Sequence, residues 1–233
     1  MIPVALDPRA VRTILVGNGP ATVRRLEWLA AGGETGCAVF SPSPSEALVA
    51  AAGDRLRHRL PDDGELADAQ FVWIVDLPET EAGELAAAAR RWDALVNVED
   101  VPGDCDFHNP AVVRRGDLLV GISTGGRCPG LASLLRRRIE SALGPEWEER
   151  LRVLDARRRL WRKQGHGFSA IAEQIEAYVE SRGWLDGLGL RRDGEAVASP
   201  TAPHPSPPMG RRGGIDATPI LSLSAPLGGR GPG

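Results

Sequence analysis

Three short stretches hold residues whose types and spacing could do chemistry. In "VGNGPAT", residues 16 to 22, Gly17, Asn18, Gly19, Pro20, Ala21 and Thr22 form a glycine turn between an apolar run and a helical pattern. Gly17 allows a tight turn and Gly19 lets a pyrophosphate approach the backbone, as in a dinucleotide-binding loop. Thr22 stands where a third glycine is usual and is small enough for helix–strand packing. Pro20 removes one backbone donor. A purely structural turn is the competing reading. In "VNVEDVPGDCDF", residues 96 to 107, Glu99, Asp100 and Asp104 follow a second apolar run. A carboxylate there could accept a proton while a bound cofactor accepts a hydride. Asp100 lies just past the end of the run, where such a base belongs, although a turn or cap before Pro102 is the plainer role. Spacing alone leaves the choice open among the three acids. In "ISTGGRCP", residues 122 to 129, Ser123, Thr124, Gly125, Gly126, Arg127 and Cys128 link an apolar run to a helix. The hydroxyls could bind a substrate or cofactor, or only cap the turn.

These stretches need elements to position them. Thr13–Val16 reads as a strand, and Val23, Leu26 and Leu29–Ala30 share one face of the helix that follows. Gly36–Phe40 reads as a second strand, and "SPSPSEALVAAAG" starts a helix. Arg55–Leu60 reads as a short edge strand, residues 71–75 and 94–98 as buried strands, and "PETEAGELAAAARRW" as the helix between them. Residues 117–124 read as the last strand. Strands alternating with helices predict an α/β chain with a doubly wound parallel sheet of Rossmann type. From Pro129 onward only helical patterns remain, in "PGLASLLRRRIESAL", "EWEERLRVLDARRRLWRKQ" and "FSAIAEQIEAYVESRGW". Such a segment is too small for a large core of its own, so it is expected to pack on the sheet or on a second copy of itself. The last 35 residues, 199–233, contain 8 Pro and 7 Gly and read as a disordered tail.

Composition narrows the function classes. The chain has 233 residues, a formal charge of -3 and 42% hydrophobic residues, with no bias toward nucleic acid or a membrane surface. No apolar run reaches membrane-span length and no signal pattern opens the chain, so neither a membrane nor a nucleic-acid partner is expected. Cys37, Cys105 and Cys128 are an odd number without metal spacing, which suits a reducing cytoplasm. Four scattered histidines make a zinc site an unneeded assumption, and no metal site is predicted. Lys163 is the sole lysine among 28 basic residues. Arginine binds carboxylates in a bidentate way that lysine does not. Arg114, Arg115, Arg127 and Arg136 flank the second and third stretches and could orient a carboxylate-rich substrate. Arg137 and Arg138 read as a solvated helix face.

Over residues 10 to 185 the sequence resembles the precorrin-2 dehydrogenase and sirohydrochlorin ferrochelatase family, the N-terminal module of siroheme synthase and its free-standing relatives. The glycine turn followed by Val23–Arg24–Arg25, the segment "VNVEDVPGDCDF" and above all "PAVVRRGDLLVGISTGGRCPGLASLLRRRIE" carry the likeness. The resemblance implies NAD-dependent oxidation of precorrin-2 to sirohydrochlorin, and in some members iron insertion. It implies Asp100 as the catalytic aspartate. It also implies cofactor contacts through residues 17–22, Ser41 and Asp76, and a tetrapyrrole held by Arg114, Arg115 and residues 123–128. A homodimer joined through the helical part is the further implication. The expected divisions are a Rossmann-like domain at 1–113, a dimerisation segment at 114–146 and a helical domain at 147–190. The sequence departs from the family pattern at several points. Ser41 stands where an acid would hold ribose hydroxyls, which leaves NAD against NADP open. Leu77 follows Asp76 where a second acid is usual, His108–Asn109 replaces apolar residues, and Cys128 replaces a serine. A non-catalytic nucleotide-sensing or tetrapyrrole-binding module is the alternative; it would need the glycine turn but not Asp100.

Overall fold

Runs of β-branched and apolar residues, each followed by a helical pattern, build a five-stranded parallel sheet in the computed structural model, which describes residues 1–188. The tail at 199–233 and the last two residues of the expected helical domain lie outside the described residues. The strands are β1 (Thr13–Val16), β2 (Ala38–Phe40), β3 (Leu56–Arg57), β4 (Phe71–Ile74) and β5 (Leu95–Val98). Their spatial order is β3-β2-β1-β4-β5. Leu15 pairs with Val39 on one side and Trp73 on the other, and Val72 pairs with Val96. This is the doubly wound order, whose reversal point falls between β1 and β4.

Alternation along each strand supplies both faces of the sheet with apolar side chains. Ile14, Val16, Val72, Ile74, Val96 and Val98 meet Leu66 of α3 (Asp63–Asp68) and Leu85, Ala86 and Ala89 of α4 (Glu79–Arg90). Leu15, Val39, Trp73 and Val75 meet Leu26 and Leu29 of α1 (Pro20–Ala31) and Leu48 of α2 (Glu46–Ala52). Cys37 is buried on that second face, and desolvation pushes its thiol up to about 11. The edge strand β3 is shorter than the 55–60 expected. Charged residues at Arg57, His58 and Arg59 suit an edge that must not recruit further strands.

Two elements depart from the sequence reading. Helix α3 was not expected, because six residues are too few to show a period. Its signal is a capping box instead: Asp62 Oδ1 accepts from the Glu65 amide at 3.0 Å, and Glu65 Oε2 accepts from the Asp62 amide at 2.9 Å. The run expected as the last strand of the parallel sheet is β7 (Leu118–Ile122), and it lies in a separate antiparallel ribbon with β6 (Ala111–Arg115). Arg115 faces Leu118 across a two-residue Gly116–Asp117 turn, with Gly116 at φ +56, so the ribbon closes locally. Pro110 before it and Arg114–Arg115 at its end leave β6 without the apolar run of a buried strand.

Helix α5 (Pro129–Ala142) packs on the ribbon, and α6 (Glu146–Lys163) packs on both the ribbon and α7 (Phe168–Ser181). Few side chains are buried here, namely Ala132, Ile171 and Val179 within the helices. Arginine–aromatic stacking takes over part of the core's role. The Arg150 guanidinium lies 4.8 Å from the Trp147 ring and 5.3 Å from the Trp184 ring, and Arg157 lies 3.9 Å from Tyr178.

Candidate functional site

The glycine turn leaves β1 at the reversal point of the sheet. The Gly17 amide donates to the Phe40 carbonyl at 3.0 Å, and a Cβ on Gly17 would lie 2.1 Å from the Val75 carbonyl oxygen. No other residue fits there. Asn18 ties this turn to the loop after β2: its Oδ1 accepts from the Ser41 hydroxyl at 2.7 Å and the Ser43 amide at 3.3 Å. Ser41 is fully buried, so its hydroxyl braces the loop. Gly19 is the N-cap of α1 and has no capping side chain, and Pro20 follows it in the first turn. A helix N-terminus met by a glycine backbone suits a phosphate.

Asp76 sits opposite, at the end of β4. Its Oδ2 accepts from the Thr22 amide at 2.8 Å and from the Thr22 hydroxyl at 3.1 Å. A Cβ on Gly19 would come within 2.8 Å of the same carboxylate. Asp76 therefore occupies one donor of the helix N-terminus, the Thr22 amide. Thr22, fully buried, does more than replace a glycine: it locks the β4 loop to α1.

The second stretch lines a cavity of about 440 Å³ between the C-terminal end of β5, the side of α1 and the start of α5. Of the three acids, the fold separates the roles that spacing could not. Glu99 Oε1 accepts from Arg25 Nη2 at 3.2 Å. Asp104 is outside the cavity lining, in a turn whose carbonyl accepts from Arg90 at 2.9 Å. Asp100 lines the cavity, is exposed, and its carboxylate has no partner among the described residues. It is held at φ 63, and Asp76 at φ 54, so the acids ending two adjacent strands both adopt the left-handed conformation. Non-glycine residues there carry a cost that surrounding structure must offset.

That surrounding structure is a hydrogen-bond chain. Trp73 Nε1 donates to Asn109 Oδ1 at 3.1 Å, Asn109 Nδ2 donates to Asn97 Oδ1 at 3.0 Å, and Asn97 Nδ2 donates to the Phe107 carbonyl at 2.8 Å. The Cys105 thiol donates to the Val98 carbonyl at 3.1 Å, and burial raises its pKa. Phe107 packs edge-on to Phe71 and Trp73 with centroids 5.2 and 5.1 Å away. The segment after Asp100 is thus folded back onto β4 and β5. Asn109, one of the departures from the family pattern, is an integral part of this chain.

Of the third stretch, Ser123, Thr124 and Gly126 line the same cavity. The Ser123 hydroxyl accepts from the Gly125 amide at 3.2 Å, and Thr124 Oγ1 accepts from the Cys128 amide at 3.1 Å. Arg127 and Cys128 are exposed and lie outside the lining, as do Arg114 and Arg115. Arg114 reaches toward Gly32 at the C-terminal end of α1. Arg115 donates to the carbonyls of Leu143 at 2.7 Å and Glu140 at 2.9 Å, closing the end of α5. The arginines that do line the cavity are Arg136 and Arg25, and His108 joins them. Arg25 is one residue type among several in a helical pattern, so only the direction of the helix reveals that it faces the cavity.

A doubly wound sheet with a glycine loop at its reversal point, an acid-bearing cavity against the helix which that loop opens and an appended ribbon-and-helix region defines a dinucleotide-binding protein of Rossmann class. Residues 4–111 match the family described as putative NAD(P)-binding, and residues 115–142 match the sirohaem biosynthesis protein central family. The siroheme synthase of Methylococcus capsulatus is 37% identical over 147 residues, covering 61% of this chain and 30% of that protein. The precorrin-2 dehydrogenase of Methanosarcina barkeri is 27% identical over 183 residues, covering 75% of this chain and 78% of that protein. The solved structure of SirC, a precorrin-2 dehydrogenase, superposes with a TM-score of 0.64 at 20% identity over 82% of this chain and 93% of its own, a likeness of fold. The chain spans about a third of the length of the siroheme synthases it matches. The chain is similar to precorrin-2 dehydrogenase and to part of siroheme synthase, and its first domain is of the NAD(P)-binding type.

Proposed function

We propose that the protein oxidises precorrin-2 to sirohydrochlorin with NAD as hydride acceptor. The observation that carries this reading is Asp100: an acid without a partner among the described residues, lining a 440 Å³ cavity whose wall includes Arg25 and Trp28 of α1, the helix that the glycine loop opens. Residues 17–21 of the turn, with Asp76 across from them, fit the cofactor. NAD, when bound, supplies the acceptor for two electrons and one hydrogen as hydride. The chain's own task is to remove the remaining proton from the substrate, and Asp100 is the group placed to take it. Ser123 and Thr124 line the same cavity and would orient the substrate there. The test is incubation of the purified protein with precorrin-2 and NAD, following sirohydrochlorin absorbance and NADH together. One NADH per sirohydrochlorin is expected. NAD binding without either product would instead support the nucleotide-sensing alternative.

A homodimer completes the proposal. Leu131, Leu134 and Leu135 on α5 are 46%, 43% and 40% exposed, and Leu119 of the ribbon is 39% exposed. Exposed leucines of this number on one helix and the ribbon it packs on support an association surface there. Light scattering is expected to give twice the chain mass, and Leu134→Arg is expected to give the monomer, because an unpaired charge would be buried at the contact. A monomeric wild-type protein would overturn the dimer and leave the enzymatic reading standing. No helix among the described residues is long and apolar enough to cross a membrane. A cytoplasmic setting, which would keep the free cysteines reduced, is part of the same reading.

A further inference from the structure

Two arginines enter the Asp100 cavity from different elements, and each is held by a carboxylate of the protein. Arg25 stands on α1, with its side chain only 14% exposed, and meets Glu99 through the single 3.2 Å contact. Its guanidinium lies 5.3 Å from the Trp28 ring centroid, which fixes where the group can sit. The pairing is incomplete on both sides: Arg25 Nε and Glu99 Oε2 are buried and have no hydrogen-bond partner. A guanidinium has five donors in a fork that fits both oxygens of a carboxylate, and one contact leaves most of that capacity unused. Arg136 enters from α5 and pairs with Glu140 one turn on, with 32% of its side chain exposed.

We infer that Arg25 and Arg136 are a two-point receptor for carboxylates carried by a planar macrocycle, with Glu99 a placeholder that a substrate carboxylate displaces. This rests on the proposed tetrapyrrole reading and names the residues that set its specificity. Of the other sites expected from sequence, Arg115 is spent on the end of α5, and Arg114 and Arg127 lie outside the cavity lining. A single-contact, partly unsatisfied pair is the state a bidentate partner replaces, because the incoming carboxylate supplies the missing acceptors while Glu99 turns to solvent. Two receptors on α1 and α5, on walls formed by different parts of the chain, would orient a ring carrying several acids and leave a neutral or cationic ring unheld. Glu99 is next to Asp100 in sequence, so its displacement would couple filling of the receptor to the turn that carries the base.

The experiment is calorimetric titration of the full chain, without NAD, with uroporphyrin, which carries eight carboxylates, and with a tetracationic porphyrin of similar ring size. Wild type is expected to bind uroporphyrin and not the cation. Arg25→Met and Arg136→Met should each weaken uroporphyrin binding about tenfold or more, and Arg25→Lys should recover only part of the loss, since a point charge lacks the fork. Glu99→Gln should tighten binding, by removing the competing charge; a merely structural Glu99 would weaken or not change it. Melting curves identify any variant that fails to fold, and Glu99→Gln with Arg136→Met then carry the decision. Uroporphyrin binding that ignores all these substitutions overturns the receptor and leaves the dehydrogenase reading intact. Absence of uroporphyrin binding in a wild type that still turns over precorrin-2 overturns the receptor alone, and absence of both overturns the two together.

Discussion

Asp100→Asn is expected to abolish precorrin-2 oxidation while NAD binding and melting temperature stay close to wild type. Asparagine keeps the size of the side chain and one acceptor oxygen, but it takes up no proton near neutral pH. The backbone makes it the right test residue. Asp100 sits at φ 63, a conformation that asparagine tolerates nearly as well as aspartate, whereas alanine there would add strain. A lost general base costs about 10²–10⁴-fold in rate, which a spectroscopic assay resolves easily. Asp104→Asn is expected to be mild, because that residue is outside the cavity. Glu99→Gln should alter substrate affinity more than the rate of the chemical step. Iron insertion, if this chain catalyses it, needs a base for the pyrrole nitrogens and should fall with the same Asp100 variant. Normal turnover by Asp100→Asn would remove the base from its assigned position.

Much of the sheet was legible because buried parallel strands are short, apolar on both faces and separated by helices whose own period is clear. Residues 71–75 with Val72, Trp73 and Ile74 show both requirements at once. The antiparallel ribbon was harder. Its first strand, "AVVRR", has only Val113 buried to the core level, so it lacks the apolar density of a central strand. Asp100 and the glycine turn were legible because backbone requirements restrict their residue types. Of the two arginines of the cavity, Arg136 was among the sequence candidates and Arg25 was not. Sequence proximity favoured Arg114 and Arg115, but side chains in a ribbon alternate between faces, and the ribbon's hydrogen-bonding partners drew Arg115 to the end of α5. Arg25 lies 74 residues from its partner Glu99, and no local pattern announces a contact made through the sheet. Trp73, Asn109 and Asn97 form their chain across 36 and 12 residues. Asn109 therefore reads as a departure from family pattern in sequence and as a brace in the fold.

The glycine turn contains two glycines that look equivalent in sequence, and their variants are expected to fail in different ways. Gly19→Leu should lose NAD affinity at least about tenfold while the protein still folds. The side chain would project at the N-terminus of α1, where the pyrophosphate needs the backbone bare. Its Cβ would approach the Asp76 carboxylate at 2.8 Å, and Asp76 is exposed, so its side chain has solvent into which to turn, at the cost of its hydrogen bonds to Thr22. Gly17→Ala should instead destabilise the fold. A Cβ there would lie 2.1 Å from the Val75 carbonyl oxygen and 2.3 Å from Thr22 Oγ1, and neither can give way cheaply. Val75 is in the core next to β4, and Thr22 is fully buried and holds Asp76. Overpacking of this kind costs about 1–3 kcal/mol or more, so a clear fall in melting temperature is expected even without ligand. The measurement is a pair of thermal melts, each with and without NAD. Wild type should gain stability from NAD, Gly19→Leu should start near wild type and gain little, and Gly17→Ala should start low. A Gly19→Leu protein stabilised by NAD as strongly as wild type would show that the turn is structural only and that the cofactor, if bound, approaches the sheet elsewhere.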